Sequence, residues 1–495
     1  MNDFDDSKIR MKRQLIVCKA LKVVCKSGVN YLYCRDVTQQ IMKRYSKLLF
    51  LFFAIFPFTL AAQTVEELFQ GKVAADLLIK DLKEIVASLE NKHPNLYQYI
   101  DKKTFTKKID SLKGTISTPL TRLEFRYKVL TVLQHVGDGH MTLTVNAPNI
   151  PQQTFDKYFA SRVFPVNQFM FIVVGNKLYN RGSWFNEEIP KGSEILSING
   201  LSSSEVISKM NDGLCADGYN PSLKFYTLNA GLFPSIYTNT FGYQDTLTFK
   251  IQLPNEVKTV KVHTITSGLK PVTVAKIPES SRGTEQDKTY GTLTIGSFDN
   301  AHQANYQQWF TEFKTAGIKT LVIDLRNNLG GEQANVTRLF SYLIKQPSFF
   351  AYIPKNMLNT SDKANSESIK TGVVKKIEPS TSAFDGKIYL LINGGSFSAT
   401  AILAANLQAI KADVTIVGTE SGGGSDGCTG GTFKSVFTTH SNLLLRFGEV
   451  PLKTLSKNKE KGRGVIPNVG INYNLDDYMA KRDLEMDWIK NNVNK

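Results

Sequence analysis

Three apolar strands in the last third of the chain each run into a glycine-rich turn. The stretch KTLVIDLR continues into NNLGGE, KIYLLIN continues into GGSFSAT, and DVTIVGTE continues into SGGGSDGCTGG. A continuous apolar run of this length is typical of a strand that is buried on both faces of a sheet. Helical patterns, such as ANYQQWFTEFKTAG before the first strand, alternate with these runs, and alternation of this kind favours a largely parallel sheet with crossovers. The sequence therefore predicts an α/β core.

The chain upstream of this core has two different patterns. From residue 65 to 136 it is helical, because AADLLIKDLKEIVASLE repeats apolar residues every three or four positions and Thr121 with Glu124 has the spacing of a capping box. This part ends in GDGHMTLTV, a glycine-bracketed turn into an alternating strand. From about residue 152 to 267 the sequence favours β structure with many aromatics. Within it, IPKGSEILSINGLSSSEVISKM predicts a turn, a strand, a tight turn and a helix.

The N-terminal part of the chain contains an export signal. Residues 43–62, KRYSKLLFLFFAIFPFTLAA, have a basic start, an apolar run and small residues at the end, which is the order of a secretory signal peptide. The apolar run is short for a membrane span. We expect a signal peptide at 42–62, a mature chain that starts near Gln63, and an exported protein, periplasmic or extracellular. Residues 1–41 are then an extension from a start codon called too early; the alternative is a cytoplasmic tail on a signal anchor.

Charge and cysteine content exclude two classes of protein. The formal net charge is +16 at pH 7, and residues 1–62 carry +7 of it, which leaves +9 for the mature chain. No basic tract interleaved with aromatics remains, so we expect no nucleic-acid partner. Only Cys215 and Cys428 follow the signal peptide, which permits at most one disulfide and indicates no disulfide framework.

The turn GGSFSAT contains two serines at the joint between a strand and a helix, Ser396 and Ser398. A serine that starts a helix is commonly a cap. At such a junction a serine hydroxyl is also well placed for nucleophilic attack, because N–H groups at the helix start can hold a developing oxyanion. Spacing alone does not decide between a cap and a nucleophile, or between the two serines.

A family resemblance addresses this question. DLRNNLGG, LLINGGSFSATAILAANLQ and GRGVIPNV, in this order, resemble the tail-specific protease domain, the serine peptidase family of C-terminal processing proteases and the tricorn core. GSEILSINGLSSSEVI resembles the PDZ-like segment of these enzymes, and VGDGHMTL resembles a turn of the tricorn-like, histidine-using branch. The similarity runs from about residue 74 to 475. It implies an α+β protein overall, with a crotonase-like ββα core, a PDZ-like β-rich domain and an N-terminal helical domain.

Patterns and resemblance together predict a division of the chain into seven parts. They are an N-terminal extension (1–41), a signal peptide (42–62), a helical domain with the histidine turn (65–150), a PDZ-like domain (151–267), a linker (268–288), the tail-specific protease core (289–480) and a C-terminal tail (481–495).

The resemblance also assigns roles to residues. It implies that Ser398 is the nucleophile, that Ala399 supplies one oxyanion N–H, and that Gly330 or Gly331 supplies the other. Processing proteases with a serine–lysine dyad carry a lysine in the loop that here reads VGTESGGG, and this loop has none. A serine hydroxyl needs a base, and His140 is the residue that matches the base of the histidine-using branch.

The acidic residue that orients the histidine is less well defined by the resemblance. In the tricorn-like branch it lies before the GV-P-D motif, which here reads NKEKGRGVIPNV, and Glu460 is our candidate. Lys461, Asn468 and Gly139 depart from the family pattern. We interpret Asp138 as a residue that braces its own turn. The spacing of His135, Asp138 and His140 fits no common zinc pattern, and we expect no metal.

The predicted function is an exported serine endopeptidase that cleaves peptide bonds in unstructured or C-terminal segments and needs no cofactor. Its partners are peptide or unfolded protein substrates, with membrane association only through an uncleaved signal. The oligomeric state stays open. Two alternatives are a catalytically impaired peptide-binding or scaffold protein of the same fold and an esterase that uses the same serine. The α/β-hydrolase form of the esterase is disfavoured because His140 precedes Ser398 in the chain.

Overall fold

A computed structural model describes residues 64–268, 280–284, 290–299, 305–354, 375–411, 413–458 and 460–493. The predicted extension at 1–41 and signal peptide at 42–62 lie outside the described residues, as does most of the predicted linker at 268–288. Within the part of the chain that the structure describes, no helix is long and apolar enough to cross a membrane.

The first region is mainly helical. The second of its helices, over residues 75–92, buries Leu78, Leu82, Ile85 and Leu89, whose spacing of three and four puts them on one face. The predicted capping box is present at Thr121, whose hydroxyl accepts from the backbone N–H of Glu124 while the Glu124 side chain accepts in return. The elements are α1 (Val65–Gln70), β1 (Lys72–Val73), α2 (Ala75–Lys92), α3 (Lys102–Gly114), β2 (Leu120–Thr121), α4 (Arg122–Leu133), a 3-10 turn (Gln134–Val136) and β3 (Thr142–Val145).

The second region is an antiparallel sheet with helices packed on it. Its elements are α5 (Gln152–Ala160), a 3-10 turn (Pro165–Gln168), β4 (Phe169–Val174), β5 (Lys177–Ser183), β6 (Glu194–Ile198), β7 (Leu201–Ser202), α6 (Ser203–Asp212), α7 (Ser222–Thr227), a π turn (Leu228–Leu232), α8 (Phe233–Phe241), β8 (Thr246–Gln252) and β9 (Val257–His263). The strand order is β4-β5-β6-β8-β9, and β7 pairs with β6. The predicted strand and helix at 189–210 correspond to β6 and α6, and the predicted tight turn lies at residues 199–200, between β6 and β7.

Residues 222–241 of this second region are helical, although the sequence of the region favours β structure. The physical reason lies in how their apolar residues are spaced. Leu228, Phe233 and Tyr237 are buried in the same core as strand residues such as Phe249. Aromatic side chains at helical spacing can fill this core as well as aromatic side chains of a strand. Amino-acid composition alone therefore cannot tell whether residues 222–241 form helices or strands.

The third region contains the parallel sheet that the sequence predicts. Its elements are β10 (Ser281–Thr284), β11 (Gly291–Thr294), α9 (Tyr306–Thr315), β12 (Thr320–Asp324), α10 (Gln333–Ser341), β13 (Ser348–Phe349), β14 (Lys376–Ile377), β15 (Lys387–Ile392), α11 (Ala399–Ile410), β16 (Val414–Gly418), β17 (Gly427–Phe437), β18 (Leu443–Lys453), β19 (Val469–Gly470), α12 (Leu475–Ala480) and α13 (Leu484–Asn492). The order β10-β11-β12-β15-β16-β19 is parallel except for β10, which runs antiparallel to β11. The α/β prediction is confirmed.

Both faces of this sheet are covered, which explains the continuous apolar runs. Along β15, Leu390 belongs to the large core under α9, α10 and α11, whereas its neighbour Leu391 packs with Ile489 of α13 on the other face. Successive side chains of a strand point to opposite faces, so each face needs apolar residues. Complete burial of one such leucine contributes about 1.5–3 kcal/mol.

A third sheet joins the first region to the third. The long hairpin of β17 and β18 receives β3 as its outer strand, in the order β17-β18-β3. The register pairs Leu443 with Val145 and Arg446 with Thr142. Because β3 begins two residues after His140, this pairing places the histidine turn against the third region.

Candidate active site

Ser398 lies between β15 and α11 in a backbone conformation that is rare for a side-chain-bearing residue. Its φ is 53° and its ψ is −125°, outside the regions that L-residues usually occupy. Such strain is found at the serine of strand–turn–helix junctions, where it exposes the hydroxyl. Ser398 is the N-cap residue of α11, but its side chain makes no capping hydrogen bond. Its Oγ lies instead 2.9 Å from His140 Nε2.

Ser396 has a different environment, although only one residue separates the two serines. It is fully buried. Its hydroxyl donates to the backbone oxygen of Leu325 at 2.8 Å and accepts from the backbone N–H of Asn393 at 3.1 Å. Both of its hydrogen bonds are to backbone groups of the turns that follow β12 and β15, so Ser396 shapes the turn that carries Ser398.

His140 is enclosed by aromatic side chains. Its ring centroid lies 4.6 Å from that of Phe397 and 5.8 Å from that of Phe433, and its side chain is 8% exposed. Burial lowers the pKa of His140 below its ordinary value, the charge of Asp138 opposes that shift, and the charge of Arg446 adds to it. The imidazole is therefore neutral at neutral pH, which is the form that can accept a proton from Ser398.

The second ring nitrogen of His140 faces a carboxylate at a distance too long for a hydrogen bond. Nδ1 lies 3.9 Å from Asp138 Oδ1 and has no hydrogen-bond partner among the described residues. Asp138 Oδ1 accepts the backbone N–H of His140 at 2.8 Å, so Asp138 does brace its turn as expected. Since a neutral imidazole with an accepting Nε2 carries its proton on Nδ1, this carboxylate is the nearest group that can stabilise it.

A second histidine, which the sequence did not single out, holds Asp138. His93 Nε2 lies 3.0 Å from Asp138 Oδ2, and both side chains are buried. The backbone N–H of Asn95 donates to His93 Nδ1, so the proton of the neutral His93 ring is on Nε2 and is donated to the carboxylate. Burial opposes ionisation of Asp138, but the hydrogen bond from His93 and the two nearby imidazoles keep its pKa below the ordinary value. The stretch NKHPNLY contains no motif that marks His93.

Glu460 is not brought to His140, which corrects the expectation for the acidic residue. Its side chain is 70% exposed and lies 3.8 Å from Arg463. The segment that carries it approaches the site through backbone groups instead, since the carbonyl of Gly462 accepts from the backbone N–H of Tyr219. Asp138 occupies the position beside the imidazole that the sequence had assigned to Glu460.

The turn NNLGG packs directly against Ser398. A Cβ atom on Gly330 would lie only 2.9 Å from Ser398 Cβ, so this position requires glycine. The N–H of Gly330 already donates to Asn328 Oδ1 at 2.9 Å. Among the described residues no acceptor faces the backbone N–H of Gly331 or of Ala399. Of the three expected oxyanion donors, Gly331 and Ala399 therefore have a backbone N–H group that is free to donate to a substrate.

Asp217 is a further buried acid near the histidine turn. Its Oδ1 accepts the backbone N–H of Gly139 at 2.7 Å, and its Oδ2 accepts that of Gly424 at 2.9 Å. Burial, together with the charge of Asp138, raises the pKa of Asp217 to about 7. Ligand atoms of Asp138, His140 and Asp217 lie within 4.8 Å of one another. Carboxylate oxygens of both aspartates already accept hydrogen bonds, so we interpret the group as a hydrogen-bonded charge cluster.

His135 is not part of this cluster. Its Nε2 lies 3.2 Å from Lys108 Nζ on the exposed side of the 3-10 turn. The metal site that combines His135 with Asp138 and His140 is therefore not formed.

Residues 289–471 match the model of peptidase family S41. This part of the chain, which we call the S41 domain, is similar to peptidase family S41. The resemblance to the tail-specific protease family is thereby confirmed. Ser398 and the turn NNLGG lie inside the S41 domain, whereas His93, Asp138 and His140 lie outside the matched residues. His140 therefore reaches Ser398 of the S41 domain from a separate part of the chain.

Two curated relatives carry the name "Probable CtpA-like serine protease". The one from Staphylococcus aureus (strain N315) is 23% identical over 302 residues, which cover 61% of this chain and 53% of that protein. The one from Staphylococcus haemolyticus (strain JCSC1435) is 24% identical over 181 residues, which cover 37% of this chain and 33% of that protein. The chain thus spans about half the length of the first relative.

A crystal structure of mature CPAF superposes with a TM-score of 0.57 at 14% sequence identity and covers 84% of this chain and 96% of that chain. Mature CPAF complexed with lactacystin gives the same TM-score at 13% identity, with 85% of this chain and 98% of that chain covered. At such identity the likeness shows a shared fold over most of this chain.

Proposed function

We propose that this protein is an exported serine peptidase that cleaves peptide bonds through an acyl-enzyme on Ser398, with His140 as general base. The observation that carries the proposal is the 2.9 Å separation of Ser398 Oγ and His140 Nε2 at a strained junction between a strand and a helix. The S41 family match and the name of the curated relatives support the same activity.

Acylation follows from this geometry. The Ser398 hydroxyl passes its proton to His140 Nε2 while Oγ forms a bond to the scissile carbonyl carbon. The carbonyl electrons move to oxygen, and the unused N–H groups of Gly331 and Ala399 stabilise that charge. The bond to the leaving amine then breaks as His140 Nε2 gives the proton to its nitrogen. A water molecule repeats the sequence on the ester and releases the acid product and free Ser398.

Asp138 acts through the histidine as a positioning residue. When His140 holds two protons, the imidazolium lies beside a carboxylate that His93 keeps ionised and oriented. Shortening of the 3.9 Å separation during the reaction forms the hydrogen bond that fixes the tautomer, as catalytic hydrogen bonds often tighten only after substrate binds.

The family departures at Gly139 and Asn468 support an active enzyme rather than a scaffold. A Cβ on Gly139 would lie 2.8 Å from the Phe397 ring and 2.9 Å from Asp217 Oδ1, so glycine is needed beside the base. Asn468 Oδ1 accepts the backbone N–H of Ile416 at 2.8 Å and so stabilises the sheet. Both departures have structural reasons that leave the serine and the histidine intact.

The substrate class and location belong to the same proposal. An antiparallel sheet with an edge strand can bind an extended peptide by adding a strand, which suits cleavage of unstructured or C-terminal segments. The PDZ-like resemblance of residues 189–210 supports this assignment. The signal-peptide pattern at 42–62 supports export to the periplasm or the outside of the cell.

Covalent labelling with a fluorophosphonate tests the proposal. We expect one adduct, on Ser398, found by mass spectrometry of the digested protein. Ser398→Ala should abolish labelling and lower peptide turnover by about 10⁴-fold or more. Ser396→Ala is the matched control, because it removes a hydroxyl from the same turn; it should keep the adduct. An adduct on Ser396, or peptide cleavage by Ser398→Ala at the wild-type rate, would contradict the proposal.

A further inference from the structure

Residues 216–220, Ala-Asp-Gly-Tyr-Asn, form a strap between α6 and α7 that touches both halves of the candidate active site. On one side the strap binds the histidine turn, residues 137–140. The backbone N–H of Gly218 donates to the carbonyl of Gly137 at 2.9 Å, and the carboxylate of Asp217 accepts from Gly139. These bonds flank His140 closely in sequence, so the strap holds the backbone that carries the base.

On its other side the strap binds the 421–424 loop of the S41 domain. Asn220 Nδ2 donates to the carbonyls of Ser421 and Gly422 at 2.6 and 3.2 Å. Gly424 donates its N–H to Asp217 Oδ2. A Cβ on Gly218 would lie 2.3 Å from the Cα of Gly462, so the strap and the domain are in contact without room for any side chain there.

The 421–424 loop in turn packs on the nucleophile. The backbone N–H of Gly423 donates to the carbonyl of Ser396 at 3.2 Å. A Cβ on Gly423 would lie 3.0 Å from the backbone nitrogen of Ser398. The two oxygens of the Asp217 carboxylate therefore reach the turn of the base and the loop under the nucleophile, one oxygen to each.

We propose that Asp217 is a positioning residue that sets the contact between His140 and Ser398 and supplies a second buried carboxylate to the imidazolium. This inference rests on the proposed function, because it assigns a role in the same reaction. Since each oxygen accepts a backbone N–H from a different part of the site, loss of either acceptor releases one catalytic partner from the other. Misplacement of reacting groups by a fraction of an ångström is costly to the rate.

The charge of Asp217 acts together with its hydrogen bonds. The titratable groups that face it are Asp138 and His140 on the histidine turn, Tyr99 before α3, and Asp426 and Cys428 at the start of β17. Its pKa is raised to about 7. The carboxyl therefore ionises near neutral pH. Its ionisation adds a negative charge beside the imidazole and favours the protonated imidazole.

Asp217→Asn tests this role, because asparagine has the same size but carries no charge and has one acceptor oxygen where the carboxylate has two. The matched control is Asp426→Asn, which removes a neighbouring carboxylate that bonds Tyr99 and Lys453 but neither half of the strap contact. For both variants and the wild type, we would measure kcat and KM for a peptide, and the rate of fluorophosphonate labelling between pH 5 and 9.

The expected result is a fall in kcat and in the labelling rate of about 10- to 100-fold for Asp217→Asn at pH 8, with KM changed by less than about threefold. The ratio of wild-type to variant rate should grow as the pH passes 7. Asp426→Asn should keep the wild-type rate at pH 8, where Asp217 is ionised with or without the charge of Asp426. A constant ratio across this range, or a loss of rate that only follows the loss of folded protein in a melting curve, would overturn the inference.

A second variant keeps the inference open to test if Asp217→Asn does not fold. Asn220→Ala removes two of the strap's three bonds to the 421–424 loop without a change of charge. It should therefore lower kcat, while the shape of the pH profile stays that of the wild type. A wild-type rate for Asn220→Ala would overturn the positioning role. If the wild-type protein itself gives no adduct on Ser398, the proposed peptidase function fails, and that result is distinct from every outcome above.

Discussion

Thr142 of β3 pairs with Arg446 of β18 in antiparallel register, although 304 positions separate them in the chain. Thr142 lies two residues after His140. The guanidinium of Arg446 stacks on the ring of Phe433 in the neighbouring strand β17, 3.6 Å from the ring centroid. The long-range strand pairing therefore decides where the base lies and which aromatic and charged groups surround it.

Replacement of His140 by alanine should lower kcat by orders of magnitude and leave the protein folded, with a lower melting temperature because a buried ring that packs on Phe397 is lost. In the wild type, kcat should rise with pH because the neutral imidazole is the active form. The midpoint of that rise should lie below the ordinary imidazole pKa, since burial and Arg446 lower the pKa of His140. The check is a pH–rate profile on a peptide. A His140→Ala enzyme that stays nearly as active would point to a lysine as base.

Asp138→Asn should lower kcat by about 10²- to 10⁴-fold, the scale found when the carboxylate partner of a catalytic histidine is neutralised. Glu460→Gln is its control, because the exposed Glu460 is the acid that the sequence favoured. We expect Glu460→Gln to retain kcat within about twofold. Steady-state kinetics on both variants test which acid acts on His140. An equal loss of kcat in the two variants would contradict the assignment to Asp138 alone and would indicate a role for Glu460.

Gly139→Ser should impair the enzyme, because position 139 has no room for a side chain. The new Cβ would meet the Phe397 ring and Asp217 Oδ1 at less than 3.0 Å. Overpacking of this kind costs about 1–3 kcal/mol. The free energy of unfolding in urea and the fluorophosphonate labelling rate should both fall. A variant of wild-type stability and rate would mean that the turn can shift without cost.

The stability of the protein should depend on pH through Asp217. Its folded-state pKa of about 7 lies above the ordinary 3.8, so the folded state keeps a proton that the unfolded chain releases. The free energy of unfolding that this group contributes is full below about pH 4 and is lost as the pH rises towards 7. The difference in melting temperature between the wild type and Asp217→Asn should therefore decrease over that window. A difference that does not change with pH would show that Asp217 is ionised throughout.

Local patterns were enough to predict the architecture of the third region and the stretches that carry Ser398 and His140. The apolar run of β15 and the glycines after it require only local chemistry, because burial on both faces selects for apolar residues and a sharp turn selects for glycine. The same holds for the capping box at Thr121. Helices α7 and α8 escaped prediction because their aromatics favour both kinds of element and tertiary packing decided between them.

From its sequence alone, this chain shows a parallel α/β core, a serine at a strand–helix junction and a histidine in a glycine-bracketed turn, since each is written in consecutive residues. The acids around the histidine were decided by the tertiary structure. His93, Asp138 and Asp217 meet there because β3 joins β18 and the 216–220 strap crosses between the two halves of the site. Contacts between residues so far apart in the chain depend on tertiary packing and on buried charge. No local pattern in the sequence predicts such contacts.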